Sequence, residues 1–341
     1  MKLDSGHAVT PVEGEEKARL KKTFVGYPDG LVRVSPDRWL FPGRYMDLGN
    51  DYYNFEFRKR RRPDHDLPEV WNNVDTGDRV DNEEQPGSEQ PRSLTGRLWI
   101  EFDLFFPKHP PEGMEIVSSS AFLKYCPEGD LRGPFNLQLS RAIPDPRTLK
   151  THLPFSLFLP DLLEKSKVIY VARNPKDMLV SYLHHHRLLR AQEFIGTLDE
   201  FADHFLNDDL VYGPYWLHLK EAWQRRDHPN LHFVFYEDLK ADITGELKKL
   251  DAFLGTGLSG DQLANVAKHT SFGEMKSRNN LFINKDIFKH EEVVDQEVLK
   301  RDGGFFRQGK SGDWKAKLTP ELIEKMDKWI NEKCDFGISF K

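Results

Sequence analysis

The sequence predicts an α/β fold with a central parallel sheet flanked by helices, and three features carry that expectation. Val168–Ala172 is an apolar, β-rich run of the kind buried on both faces of a parallel sheet. Leu231–Phe235 (L-H-F-V-F) is a second such run. Each leads towards a helix: Asn174 and Pro175 read as an N-cap followed by proline at the first helical position, and a helix is expected after Asp238. Strands alternating with helices need crossover connections and therefore pair in parallel.

The remaining segments fit around that centre. Residues 1–20 are polar and read as a loose N-terminal arm, with 21–341 as a single domain. Phe41–Phe57 is rich in aromatics and reads as a packed flap. Residues 58–92 break the pattern. The basic run Arg58–Arg62 is followed by Asp, Asn, Glu, Gln, Pro and Gly with almost no apolar periodicity, the composition of a disordered linker. Such a basic run also occurs in nuclear-import and nucleic-acid patches, but is more often a solvated surface, and no nucleic-acid partner is expected. Leu98–Phe106 is apolar and aromatic, and Thr148–Leu153 reads as a short strand. Residues 197–225 and 318–334 have helical apolar spacing, the second opening with Thr319-Pro320-Glu321.

Composition limits the functional classes. A chain of 341 residues buries a sizeable core, and a net charge of −6 leaves anion binding to local basic groups rather than a global field. Cys126 and Cys334 are far apart and fit no metal spacing, so no metal is expected and both read as reduced thiols. The start of the chain is charged, without the apolar stretch of a signal peptide, and no run is long enough to span a membrane. These features together predict a cytoplasmic enzyme acting away from membranes.

Four motifs carry chemistry. Arg173 ends the first strand where the chain turns straight into a helix, a place that offers donors to an anion at the carboxyl edge of a sheet, and Ser181 adds a hydroxyl one to two turns on. An ordinary turn with a carboxylate-paired arginine has the same local pattern. His152, in Lys150-Thr-His152-Leu-Pro154, sits at a strand end stopped by proline; a lone histidine there is more often a satisfied loop residue than a base. Tyr236-Glu-Asp-Leu-Lys240 closes the second strand and also fits a capping Asp238 beside a buried tyrosine. Finally, Phe305-Phe306-Arg307-Gln308-Gly309-Lys-Ser-Gly-Asp-Trp-Lys315 contains two glycines that permit close backbone approach and an arginine fork suited to phosphate.

The string Y-V-A-R-N-P-K-D-x-x-V-S-Y (Tyr170–Tyr182) closely resembles the cytosolic sulfotransferase family, and the other motifs extend the resemblance over residues 93–341 and roughly 20–57. It implies a P-loop-like sulfotransferase fold using PAPS as donor and releasing PAP. Arg173 and Ser181 would hold the 3′-phosphate. K-x-H-L-P implies His152 as general base, an imidazole that titrates near neutrality, with Lys150 steadying charge on the sulfuryl or bridging oxygens. Tyr236 is implied on the adenine or phosphate side. Thr270, Ser271 and Phe272, with Met275, resemble the adenine-flanking T-S-F-x-x-M. Phe305, Phe306, Arg307, Gln308 and Gly309 resemble the C-terminal R-K-G-x-x-G-D-W-K signature, with Gln308 replacing a lysine and removing one charge. Lys315, Thr319 and Glu324 resemble a homodimerisation motif, with Pro320 in place of its valine. The aromatic flap is similar to that of insect members, including retinol dehydratases. The implied acceptor is a small, apolar alcohol or phenol.

One family feature is missing. Nothing in residues 1–150 matches P-K-S-G-T-T-W-T, the loop whose amides and lysine hold the 5′-phosphosulfate, nor the loop of nucleotide kinases. Back-translation of Pro68–Thr76 with the first base dropped permits Pro, Lys, Ser, Gly, Thr, Thr, Trp, Thr, with the glycine forced. Residues from about 60 to 90 therefore read as a frame-shifted nucleotide-binding loop, with true divergence as the competing account. As written, the chain keeps the 3′-phosphate and adenine determinants and lacks the 5′ cradle. The alternative to a sulfotransferase is accordingly a non-catalytic binding module.

Overall fold

Antiparallel pairing comes first along the chain. In the computed structural model, which describes residues 1–58, 98–106, 119–130, 133–145, 147–277, 291–306 and 309–340, strands β1 (Ala8–Pro11), β2 (Leu31–Ser35) and β3 (Trp39–Pro42) form a three-stranded sheet in that order. Val9 lies opposite Val34 and Val32 opposite Phe41. Helix α1 (Gly14–Leu20) connects β1 to β2, and α2 (Tyr45–Tyr53) follows β3. Residues 1–20 are thus an ordered part of the fold and not the loose arm that their polarity predicts. Leu3, Val9, Val12 and Leu20 are buried, and the buried Arg33 binds Glu16 at 2.8 Å and Asp209 at 2.5 Å. A few well-placed apolar residues outweigh the charged ones between them.

Two parallel pairs follow. β4 (Leu98–Trp99) and β5 (Leu149–Lys150) pair across a connection that includes α3 (Ser119–Tyr125) and α4 (Phe135–Ala142). The expected strand over Thr148–Leu153 is cut to two residues, because the backbone N–H of His152 donates to the Glu101 carboxylate instead of a neighbouring strand. After α5 (Leu162–Lys165), β6 (Val168–Ala172) pairs with β7 (Leu231–Phe235), Val168 opposite Leu231 and Ala172 opposite Phe235. The crossover between them holds α6 (Pro175–Leu188), α7 (Leu198–Leu206) and α8 (Tyr215–Trp223). Residues 197–225 make two helices rather than one, since Gly213-Pro214 breaks the run. A capping box between Thr197 and Glu200 starts α7.

Beyond β7 the described chain is helical: α9 (Tyr236–Ala241), α10 (Ile243–Leu254), α11 (Gly260–His269), α12 (Phe272–Ser277), α13 (Gln296–Asp302), α14 (Trp314–Lys317) and α15 (Pro320–Lys333). The helix expected after Asp238 begins at Tyr236, which puts Asp238 in its first turn. Thr319 caps α15 by accepting from the N–H of Leu322 at 3.2 Å, as its sequence predicts.

Two large apolar cores stand out among the described residues. One gathers Leu179, Phe201, Trp216 and Met326 from α6, α7, α8 and α15. The other packs Trp39, Phe41, Tyr45, Tyr52 and Phe55 against Ile100, Leu137 and Leu157, so the aromatic flap is a core element. Burying such a side chain contributes ~2 kcal/mol, enough to anchor the N-terminal sheet. Among the described residues, no helix is long and apolar enough to cross a membrane. The aberrant segment expected at 58–92 lies outside the described residues apart from Arg58, which donates to the Ile143 carbonyl at 2.9 Å.

Candidate active site

The turn from β6 to α6 is built as the local sequence dictates. Asn174 caps α6 by accepting from the N–H of Lys176 at 3.0 Å, and Pro175 occupies the first turn. Arg173, just before the cap, lays its guanidinium over the Tyr236 ring at 4.6 Å. Its Nε is buried without a hydrogen-bond partner among the described residues. A buried guanidinium N–H left unpaired is costly, and an anion at the mouth of the turn would satisfy it. Glu237 accepts from the N–H of Asn174 at 2.9 Å, and the Tyr215 hydroxyl donates to the Arg173 carbonyl at 2.7 Å. These contacts fix the turn from α9 and α8. Ser181 is half-buried on α6, one helical turn beyond Asp177.

The C-terminal loop closes on the same helix. The Asp177 carboxylate accepts from the N–H of Gly312 at 2.6 Å and of Trp314 at 3.3 Å. Gly312 adopts φ +80°, a conformation that glycine takes without cost. Lys176 pairs with Asp327 and lies over the Trp314 ring at 4.3 Å. Gly309 presses against Phe272: a Cβ at this position would come within 2.1 Å of the ring. Met275 and Phe306 are buried together, with Phe272 and Phe305 packed against them. Phe272 of the expected adenine-flanking motif therefore converges with Phe305, Phe306 and Gly309 of the C-terminal signature. Thr270 instead donates to the Ala267 carbonyl at 3.2 Å, and Ser271 is exposed, accepting from the N–H of Glu274 at 3.4 Å. Arg307 and Gln308 lie outside the described residues.

His152 is held from four sides. Its backbone N–H and ring Nδ1 both donate to Oε1 of Glu101, at 2.5 and 3.0 Å. The ring stacks on Tyr212 at 5.0 Å and meets the edge of Trp99 at 4.6 Å. Its carbonyl accepts from Nε2 of His218 at 2.9 Å, and His218 Nδ1 accepts from the Tyr170 hydroxyl at 2.8 Å. Burial lowers the His152 pKa, the Glu101 hydrogen bond opposes this, and nearby Lys150 lowers it further. With Nδ1 donating to Glu101, Nε2 is the ring's basic atom, and the His152 side chain retains 34% exposure. The Lys150 ammonium sits over the Trp99 ring at 5.0 Å, on the short strand that leads to His152.

Glu101, His218, Tyr212 and Tyr215 are functional neighbours that motif reading misses. Glu101 left a faint signal as an acid inside the apolar run Leu98–Phe106; it is fully buried, and its Oε2 has no partner among the described residues. Asp103 in the same run accepts from the N–H groups of Asn136 (3.1 Å) and Leu137 (3.0 Å), starting α4 from a distance; burial raises its pKa to about 6.

An arginine at a strand-to-helix turn and an imidazole fixed on a buried carboxylate thus stand on one α/β fold. Residues 117–336 match the sulfotransferase domain family. The chain belongs to that family of PAPS-dependent sulfotransferases. It is 38% identical over 208 residues to sulfotransferase 1A1 of Rattus norvegicus, covering 60% of this chain and 69% of the rat protein. Identity to the luciferin sulfotransferase of Photinus pyralis is 36% over 203 residues, or 59% of this chain and 53% of that protein. A solved retinol dehydratase in complex with retinol and PAP shares the fold at a TM-score of 0.73 and 24% identity, covering 98% of this chain and 99% of that one. A mouse sulfotransferase complexed with PAP superposes at 0.51 with 31% identity, over 61% of this chain and 72% of the other.

Proposed function

We propose that this site transfers a sulfuryl group from PAPS to the hydroxyl of a small apolar alcohol or phenol. The observation that carries the reading is Arg173, stacked on Tyr236 with its buried Nε unpaired at the turn into α6. PAP in the related mouse structure supports a nucleotide with a 3′-phosphate as the anion. Arg173 and Ser181 would bind that phosphate, and Tyr236, Phe272, Phe305, Phe306 and Gly309 would line the adenine side, with Thr270, Ser271, Arg307 and Gln308 completing the implied set. His152 Nε2 takes the acceptor proton as the new O–S bond forms and the bond from sulfur to the bridging phosphate oxygen breaks. Glu101 holds the imidazole in the required tautomer and offsets part of its desolvation. Lys150 steadies the charge that develops on the oxygens. Positioning and charge stabilisation dominate in such an in-line displacement.

A second reading rests on a specific sequence observation. P-K-S-G-T-T-W-T is missing from the chain, and the family match begins only at residue 117. As written, the protein binds PAP-type nucleotides through the 3′ half and transfers sulfuryl poorly, and residues from about 60 to 90 are a frame-shifted loop. Sequencing the transcript tests the origin: the shifted frame should encode S-G-T-T-W, and its absence there ends the frame-shift account. Turnover of PAPS should rise at least ~100-fold when the shifted-frame residues replace Pro68–Thr76 and the segment that follows. Equal rates before and after would refute the need for the loop. Lys315, Thr319 and Glu324 are exposed, as a homodimer contact requires; sedimentation of the purified chain checks that assembly.

A further inference from the structure

Asp177, Ser181 and His184 follow one another at helical spacing on α6, so they share one face of it. The chain beyond α13 is tied to that face on both sides of Ser181. At one end, His184 Nδ1 donates to Oδ2 of Asp302 at 3.0 Å, and its Nε2 lies 3.3 Å from the Gly304 carbonyl. At the other, each oxygen of Asp177 accepts one backbone N–H, from Gly312 at 2.6 Å and from Trp314 at 3.3 Å. Both Asp177 and His184 are buried. Phe305 and Phe306 fall between the ties and pack with Phe272 and Met275 of α12, and Gly309 closes on the Phe272 ring. This aromatic cluster lies outside the two large cores. Phe305 also packs beside Leu188, Val294 and Val298, and the two ties fix the rest of the segment to α6. Asp177 engages both oxygens with amides of a glycine turn, and a phosphate against it would bring two negative charges together. Its effect on a bound nucleotide is therefore exerted through the loop that it holds.

We propose that Asp177 and His184 are positioning residues for the donor nucleotide. By tying the segment to α6 on both sides of Ser181, they set the aromatic cluster at the distance from Arg173 at which one ligand places its base on the cluster and its 3′-phosphate on the arginine. The inference rests on the sulfuryl-transfer reading and concerns how that donor site is held together. Neither residue touches the nucleotide in this account, so their loss should weaken the contribution of the base and spare that of the phosphates.

Calorimetric titration of the full chain with PAP and with ribose 3,5-bisphosphate, which keeps the sugar and phosphates without adenine, tests the inference. The unaltered protein should bind PAP at least ~10-fold more tightly, the effect of stacking one base on aromatic side chains. Asp177→Ala should weaken PAP by ~10-fold and leave the ribose compound nearly unchanged. Asp177→Asn, which keeps one acceptor oxygen for the loop, should retain part of the preference. His184→Ala approaches the segment from its other end and should narrow the preference in the same direction, so the test stands even where Asp177→Ala fails to fold. Equal weakening of both ligands is the mark of a merely structural role and overturns the inference. Unchanged PAP affinity in the folded variants also overturns it, while tight PAP binding leaves the sulfuryl-transfer reading standing. Failure of the unaltered protein to bind PAP more tightly than ribose 3,5-bisphosphate overturns the inference and the adenine side of that reading together.

Discussion

The Arg173 turn and the His152 site are built in different ways. At Arg173 the determinants are consecutive: strand, arginine, cap, proline and acid follow one another from Val168 to Asp177, although Arg173 stacks on the distant Tyr236 and Asp177 reaches Gly312 and Trp314. At His152 the determinants arrive from afar. Trp99 and Glu101 come from one segment, Tyr212 and His218 from another, and they meet around His152 where β4 pairs with β5 and His218 reaches the His152 carbonyl. The first site is a local motif that needs a ligand to satisfy it. The second is a tertiary assembly in which neighbours hold the His152 ring and backbone, although Oε2 of Glu101 has no partner among the described residues. α8 joins the two, with Tyr215 bonding the Arg173 carbonyl and His218 the His152 carbonyl.

That contrast yields separable effects. Arg173→Ala should weaken PAP by ~100-fold, the loss of charge-assisted bonds to a phosphate, with little change in the denaturation midpoint of the free protein; calorimetry and urea unfolding read the two. A large stability loss would show that the turn is not a self-contained motif. Asp103→Ala leaves the N–H groups of Asn136 and Leu137 unpaired, and should cost ~2 kcal/mol in chemical denaturation. PAP affinity in that variant should follow only the fraction folded. His218→Phe removes the tie to the His152 carbonyl and should cost ~1 kcal/mol. Unchanged PAP binding alongside slower sulfuryl transfer would place its effect at the base, whereas a large change in PAP affinity would mean that the halves are not separable.

The smallest effect is electrostatic. Glu101→Gln removes the charge that raises the His152 pKa, so the imidazole should titrate still lower in an NMR pH series. The sign for stability follows. Because the folded pKa of His152 is depressed, protonation favours the unfolded chain, and stability is lost as pH falls below the ordinary histidine value of about 6.5. In the Glu101→Gln variant that loss continues to lower pH. An unchanged or raised titration would contradict the part assigned to Glu101.

Sequence legibility follows the same division. Asn174, Pro175 and the Thr319 cap can be read because their partners lie within a few residues, and Arg173 because it stands directly between a strand and that cap. Glu101 and His218 cannot, because nothing local marks an acid in an apolar run, or a histidine on α8, as facing His152. The N-terminal sheet escapes for a related reason. Its strands are four or five residues long, and Val9 and Val12 are too sparse among polar neighbours to register as a strand until Val32, Val34 and Phe41 cover them. Thr270 shows a motif position turned to local use, its hydroxyl spent on the Ala267 carbonyl.

The central proposal is that Arg173 anchors the 3′-phosphate of the donor. Calorimetric titration of the full chain with PAP and with AMP, which lacks the 3′-phosphate, tests it most directly. PAP is expected to bind ~100-fold more tightly than AMP, and Arg173→Ala to remove the difference. Equal affinity for the two nucleotides, or a preference that survives Arg173→Ala, would contradict it.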